Sequence, residues 1–193
     1  LDDAAIDAYV AVSREQGIRH TPTLVTYEAL AHLAAPRSPD DPARRYLPRH
    51  YWAGVWDREN VPVLRAFTEE VLALMKQSAG RARDAMRRLH RAGVRLHLGT
   101  DTAAVPFVVP GTSLQQELAL MVEAGLTPDA AWAAGTRVSG ASLGIDGLGV
   151  VRAGAPADLL IFGGDPSRDL GALSTLRGVV AGGQGARRYV GRP

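Results

Sequence analysis

The chain reads as an α/β protein made of consecutive helix–strand steps followed by a run of short strands, and three observations say so. A helical pattern opens at Asp2 or Asp3 and runs to Gly17, where an extended segment, Ile18 to Thr26, takes over. A second, Arg81 to Ala92, passes through Gly93 into the alternating run Val94-Arg95-Leu96-His97-Leu98. From Gly149 the texture changes to brief β-rich runs between glycine-rich turns. Repeated αβ steps imply a parallel sheet or barrel, because parallel neighbours need a crossover between them. The change of texture divides the chain near residue 145, into 1–145 and 146–193.

Composition bounds what this fold can serve. With 193 residues, 46% of them hydrophobic and 22% charged, the chain can bury one ordinary core or two small ones. The formal charge is +2, and the arginines are scattered rather than gathered into a stripe with aromatics, which argues against a nucleic-acid partner. No window approaches the ~20 apolar residues that span a bilayer. The sequence has no cysteine, so a metal would be held by His, Asp or Glu. The opening Leu1-Asp2-Asp3 has no initiator methionine or signal-like region and reads as the interior of a longer polypeptide.

Each element has its own local cause. The first helix carries an apolar stripe of Ile6, Tyr9, Val10 and Val12 to Ser13. Pro22 loosens the strand that follows, and Tyr27 to Leu33 make a short helical turn beyond it. Residues 34–61 then form a long excursion. Pro36, Pro39, Pro42 and Pro48, with Pro62 just beyond, rule out a continuous helix or strand, while Arg44, Arg45, Tyr46, His50, Tyr51, Trp52 and Trp56 give it aromatic character. Such a connection serves as a lid or is stapled to the body by its aromatics, and both roles can coexist. Pro62 to Ala92 is helical, with a break expected at Gly80. A helix capped by Thr112 or Ser113, with Glu117 near its first turn and Leu114, Leu118, Met121 and Val122 on its apolar face, runs to Gly125. The next starts with Thr127 as cap and Pro128 in its first turn, and Val138 to Leu143 continue helically to Gly144. Strands are expected at Val150-Val151, Ala157 to Phe162, Gly178 to Val180 and Arg188 to Val190.

The alternating run at Val94 stops on Gly99-Thr100-Asp101. A carboxylate delivered at the C-terminal end of a parallel strand sits where α/β enzymes keep their chemistry, although such an aspartate is also a common helix cap or turn former.

Three pieces in order carry a resemblance: the strand ending in Gly99-Thr100-Asp101, the Glu-Ala-Gly-Leu-Thr-Pro junction at Glu123 to Pro128, and Gly149-x4-Gly154-x2-Ala157-Asp158-Leu159. Together they resemble the C-terminal part of the metal-dependent amidohydrolase superfamily, most closely its imidazolonepropionase and prolidase-like branch. The likeness is close over about residues 80–190, and His20 to Leu30 resembles the family's penultimate barrel strand. It implies the last two strands, with their helices, of a (β/α)8 TIM barrel over 1–145, and part of a small β-sandwich over 146–193.

In that family the eighth strand ends in an aspartate that binds a divalent metal ion and takes the proton of the attacking water, and Asp101 matches it. The resemblance therefore implies hydrolysis of amide-type C–N bonds in cyclic amide or dipeptide-like small molecules, with a divalent ion, zinc being the expected one. Such an ion lets water ionise near neutral pH, and a carboxylate can both ligate it and act as general base. Thr102, Phe107, Val108, Trp52 and Trp56 are the candidate substrate contacts at the barrel mouth. Gln115 stands where many relatives carry histidine, and Ala155-Pro156 where they carry lysine before Ala-Asp-Leu.

The family's other ligands, a His-x-His pair, a lysine or glutamate and two further histidines, lie on strands that match nothing here. His97 is four residues before Asp101, roughly 13 Å at strand rise, too far to share an ion with it. No His-x-His or His-Glu-x-x-His pattern occurs. The expectation is a hydrolase portion that is inactive without a missing N-terminal barrel half. The alternative is a stand-alone binding or scaffold module derived from the same fold.

Overall fold

A computed structural model describes residues 2–35, 38, 40–57, 62–65, 67–102 and 105–187. The chain is a mixed helix and strand structure, as the αβ steps predict. Helix α1 (Asp3–Glu15) is capped by Asp2, whose carboxylate accepts from the Ala5 amide at 2.8 Å. It seats Ile6 and Ser13 inward, while Tyr9 and Val12 of the expected apolar stripe remain about half exposed.

The two αβ steps meet as anticipated, over a shorter pairing than expected. His20 and Leu96 form a parallel bridge: the His20 amide donates to the Arg95 carbonyl at 3.1 Å, and the His97 amide to the His20 carbonyl at 2.8 Å. Gly93 turns the chain into this pairing at φ +76°, a conformation glycine adopts without steric cost. Gly99 is needed for proximity instead, because a Cβ there would collide with Cγ2 of Thr21 on the neighbouring segment.

Two expectations for the first half, on the first extended segment and on Gly80, are corrected, while the excursion between them is neither a continuous helix nor a strand, as expected. The strand foreseen over Ile18 to Thr26 stops at Thr23, which adopts φ +49°, and helix α2 (Leu24–Ala31) begins at once. The excursion folds into a 3-10 turn, Pro42–Tyr46, and a π turn, Tyr51–Val55, before the single turn of α3 (Pro62–Arg65); Pro36 and Pro39 lie outside the described residues. Helix α4 (Glu69–Arg91) runs straight through Gly80, with Thr68 as its N-cap. A glycine costs a helix interior only ~1 kcal/mol relative to alanine, and the flanking turns bury Ala79, Met86 and Leu89.

Helix α5 (Thr112–Glu123) is entered from Gly111 at φ +84°, not from a Thr112 or Ser113 cap. Helix α6 (Pro128–Ala134) has the expected cap, the Thr127 hydroxyl accepting from the Ala130 amide at 3.1 Å, and α7 (Arg137–Ser142) follows after a turn. The core is a cluster of Leu24, Met86, Leu89, Val94, Leu96, Leu118, Met121, Ala124, Leu126, Ala131 and Ala134, so α2, α4, α5 and α6 pack around the paired segments.

The C-terminal sheet has the antiparallel order β1 (Leu159–Phe162), β2 (Leu176–Ala181), β3 (Gln184–Arg187), with a 3-10 turn, Leu170–Thr175, between β1 and β2. Phe162 packs edge-on against Trp132 of α6 at 5.7 Å, joining sheet and helices. Val150-Val151 is not a strand: Val151 is 88% exposed and turns precede and follow it. Arg188 to Val190 lie outside the described residues. Among the described residues no helix is long and apolar enough to cross a membrane.

Candidate functional site

The paired segments both end in left-handed backbone. Three residues beyond the bridge on one, Thr23 has φ +49°; five residues beyond it on the other, Asp101 has φ +51°. Left-handed backbone is uncommon outside glycine, and for a β-branched threonine it is a genuine outlier, so surrounding interactions must hold it. Asp101 is exposed to solvent.

Hydroxyls fix the residues on either side of Asp101. The Thr26 hydroxyl, in the first turn of α2, donates to the Thr100 carbonyl at 3.0 Å. Thr100 and Thr102 share a hydrogen bond of 2.5 Å between their hydroxyls, and Thr102 lies 3.3 Å from the Ser113 hydroxyl on α5. Thr102 thus faces a structural partner as well as the loop it opens.

One turn along α5 from Ser113 stands a residue whose weight sequence reasoning missed. Glu117 is wholly buried, and its two carboxylate oxygens accept from the Leu24 amide at 2.9 Å and the Val25 amide at 2.7 Å. Those are the first two N–H groups of α2, and Thr23 offers them no side-chain cap. A hydrogen bond to a charged group contributes about 1.5–3 kcal/mol net, and an orphaned buried N–H costs a similar amount. Burial pushes the Glu117 carboxyl above the ordinary glutamate range, against the pull of the Val25 and Leu24 amides. A signal was present in the sequence: Glu117 falls four residues after Ser113 and four before Met121, on the face that also carries Leu118.

The excursion and the loop after Asp101 meet through rings. Trp52 and Trp56 pack edge-on at 5.2 Å, and Phe107 lies 6.2 Å from Trp52 and 5.6 Å from Trp56. Phe107 is itself left-handed, at φ +70°. Trp56 is only 4% exposed, whereas Trp52 is half-buried, beneath the Arg44 guanidinium at 5.0 Å. The Trp52 indole N–H is buried with no acceptor among the described residues. Three of the five candidate contacts therefore come together; Val108 is shut off from solvent.

The histidines have other partners. His20 joins Tyr9 and Ser13: the Tyr9 hydroxyl lies 2.8 Å from Nδ1 and Nε2 lies 2.9 Å from the Ser13 hydroxyl, which donates to the Tyr9 carbonyl. That assigns the neutral ring with its proton on Nε2, consistent with burial lowering its pKa. His97 Nε2 meets the Ser142 hydroxyl at 2.7 Å, and burial followed by the charges of Arg19 and Arg95 lowers its pKa. Among the described residues no group of three or more His, Asp or Glu side chains converges as a metal centre requires. The donors present do not by themselves fit a divalent ion.

Residues 24–184 match the family model described as Amidohydrolase family. The chain belongs to the amidohydrolase family. Its structure is similar to a crystal structure of an amidohydrolase, at 23% identity and TM-score 0.67 over 96% of this chain and 38% of that one. It is similar to the same degree, 23% and 0.67, to a Xaa-Pro dipeptidase solved with methionine in its active site, over 97% of this chain and 38% of that chain. A putative prolidase from Bifidobacterium longum is 34% identical with TM-score 0.55, over 64% of this chain and 30% of its own length. The chain thus spans 38% of the length of the first two of these structures. No curated protein sequence matches it.

Proposed function

We propose that this chain forms the last two strands of a (β/α)8 amidohydrolase barrel, over residues 1–145, with part of a β-sandwich over 146–193, and that it contributes Asp101 to a hydrolase of amide-type C–N bonds. The observation that supports this best is an exposed carboxylate held in left-handed backbone beyond a parallel-paired segment, within the span matching the family model. Cyclic amides and dipeptide-like molecules are the substrate class, in keeping with the dipeptidase and prolidase structures to which the fold is similar.

Asp101 would serve as one ligand of a divalent ion, zinc being expected, and the site would need further donors, since the described residues gather no group of three; the ion would make its bound water more acidic. Asp101 also accepts the proton of the attacking water and returns it to the leaving nitrogen, a role its exposure and freedom from an ion pair in the described structure allow. Thr102, Phe107, Trp52 and Trp56 stand beside the substrate, whereas Val108, fully buried, does not reach it. The 193-residue chain alone is inactive on this reading.

The test is hydrolysis of Xaa-Pro dipeptides and cyclic amides, with added zinc, by the protein that carries this chain, against its Asp101→Asn variant. The expected loss is about 10²- to 10⁴-fold in kcat, the range for removing a general acid–base. Undiminished turnover in the variant, or no zinc-stimulated hydrolysis of any such amide, refutes the assignment and leaves a binding module as the better account.

A further inference from the structure

We infer that Glu117 is a positioning residue for Asp101, acting through the first turn of α2 and a ring of hydrogen bonds that closes on α5. The ring is traced by contacts already described. Glu117 holds the Leu24 and Val25 amides at 2.9 and 2.7 Å; Thr26, in the same helical turn, donates to the Thr100 carbonyl at 3.0 Å; Thr100 reaches Thr102 at 2.5 Å; and Thr102 reaches Ser113 at 3.3 Å. Ser113 and Glu117 are one turn apart on the same face of α5, and both are fully buried. Asp101 is the residue between the two threonines, so its neighbours on both sides belong to the ring while its own side chain stays free to face solvent.

The geometry explains two backbone outliers together. Thr23 must turn left-handed for α2 to start immediately after the paired segment, and the two bonds from Glu117 hold the helix start that results. With α2 fixed, Thr26 holds the Thr100 carbonyl, and the peptide leading into Asp101 is held in turn. A buried carboxylate with both oxygens satisfied suits this task because rigid, fully paired polar networks specify one arrangement. Glutamine is a poor replacement: its amide nitrogen would face an N–H donor and leave one amide of α2 unpaired.

This inference rests on the proposed role of Asp101 for its functional meaning, but its test reads position and not hydrolysis, so the two can fail separately. NMR on the whole protein that carries this chain would follow the Leu24 and Val25 amide protons, together with the three-bond HN–Hα coupling and the Cα and Cβ shifts of Asp101. Ser13→Ala is the control, removing a buried hydroxyl from the Tyr9–His20 group, which shares no side-chain hydrogen bond with the ring. In Glu117→Gln, one of the two amide protons should move upfield and the Asp101 reporters should lose their left-handed values, while Ser13→Ala leaves them in place at a comparable loss of stability. Unchanged Asp101 reporters in Glu117→Gln, or equal movement in Ser13→Ala, overturns the inference. Should Glu117→Gln not fold, Thr26→Val removes only the hydroxyl link, and Asp101 reporters that stay put in that variant refute the proposal equally.

Discussion

At the scale of single residues, Glu117 carries a signature in the pH dependence of stability. Its carboxyl is raised, by burial above all and against the Val25 and Leu24 amides, so the folded state binds this proton more tightly than the unfolded chain does. Stability from such a group is complete below the ordinary glutamate value of about 4.3 and is given up as pH climbs through the raised one. Chemical denaturation at stepped pH should therefore show the wild type losing stability upward through that window relative to Glu117→Gln, whose side chain does not titrate. Parallel pH profiles for the two proteins would contradict it. Glu117 was only half legible from sequence. Its place on the buried face of a helix follows from spacing to Ser113, Leu118 and Met121, but its partners are Leu24 and Val25, over ninety residues away, and no local pattern encodes a cap supplied from there. For the same reason a threonine followed by leucine and valine looks like extended strand, and Thr23 was expected to be one.

At the scale of elements, what was legible is what local chemistry decides. Asp2 and Thr127 cap their helices as their side chains dictate, Gly93 turns the chain at φ +76°, and the two αβ steps do produce a parallel pairing at His20 and Leu96. What was misread is where packing overrides local preference. Gly80 was expected to end a helix, yet α4 continues through it, and a Cβ built at that position would meet nothing within 4 Å. Gly80→Ala should accordingly stabilise the chain by about 0.5–1 kcal/mol, because alanine loses less backbone entropy in an exposed helix interior. Thermal and urea unfolding would register it, and a destabilised variant would show that α4 is not continuous there. Val150-Val151 fails in the opposite sense: β-branched residues favour strands only when they have a neighbour to pack and pair with, and Val151 projects into solvent.

At the scale of the whole molecule, the helices hold together through the apolar cluster centred on Met86, Met121 and Ala131, with ion pairs from Arg81 and Arg88 of α4 to Asp3 and Asp7 of α1 at the surface, where such pairs contribute little. The arrangement brings two strand ends, the aromatic group of Trp52, Trp56 and Phe107, and the Glu117 ring into one account of Asp101. The family could be read from the three sequence pieces that begin with the run ending in that aspartate, and the mixed helix and strand character from the αβ steps. The aromatic meeting of excursion and loop could not, since it joins segments fifty residues apart without a shared pattern. The most direct test of the central claim is anomalous diffraction at the zinc edge from crystals of the protein that carries this chain, grown active and soaked with zinc. The account predicts a peak about 2.0–2.2 Å from an Asp101 carboxylate oxygen; zinc bound in the active protein beyond the reach of Asp101 would contradict it.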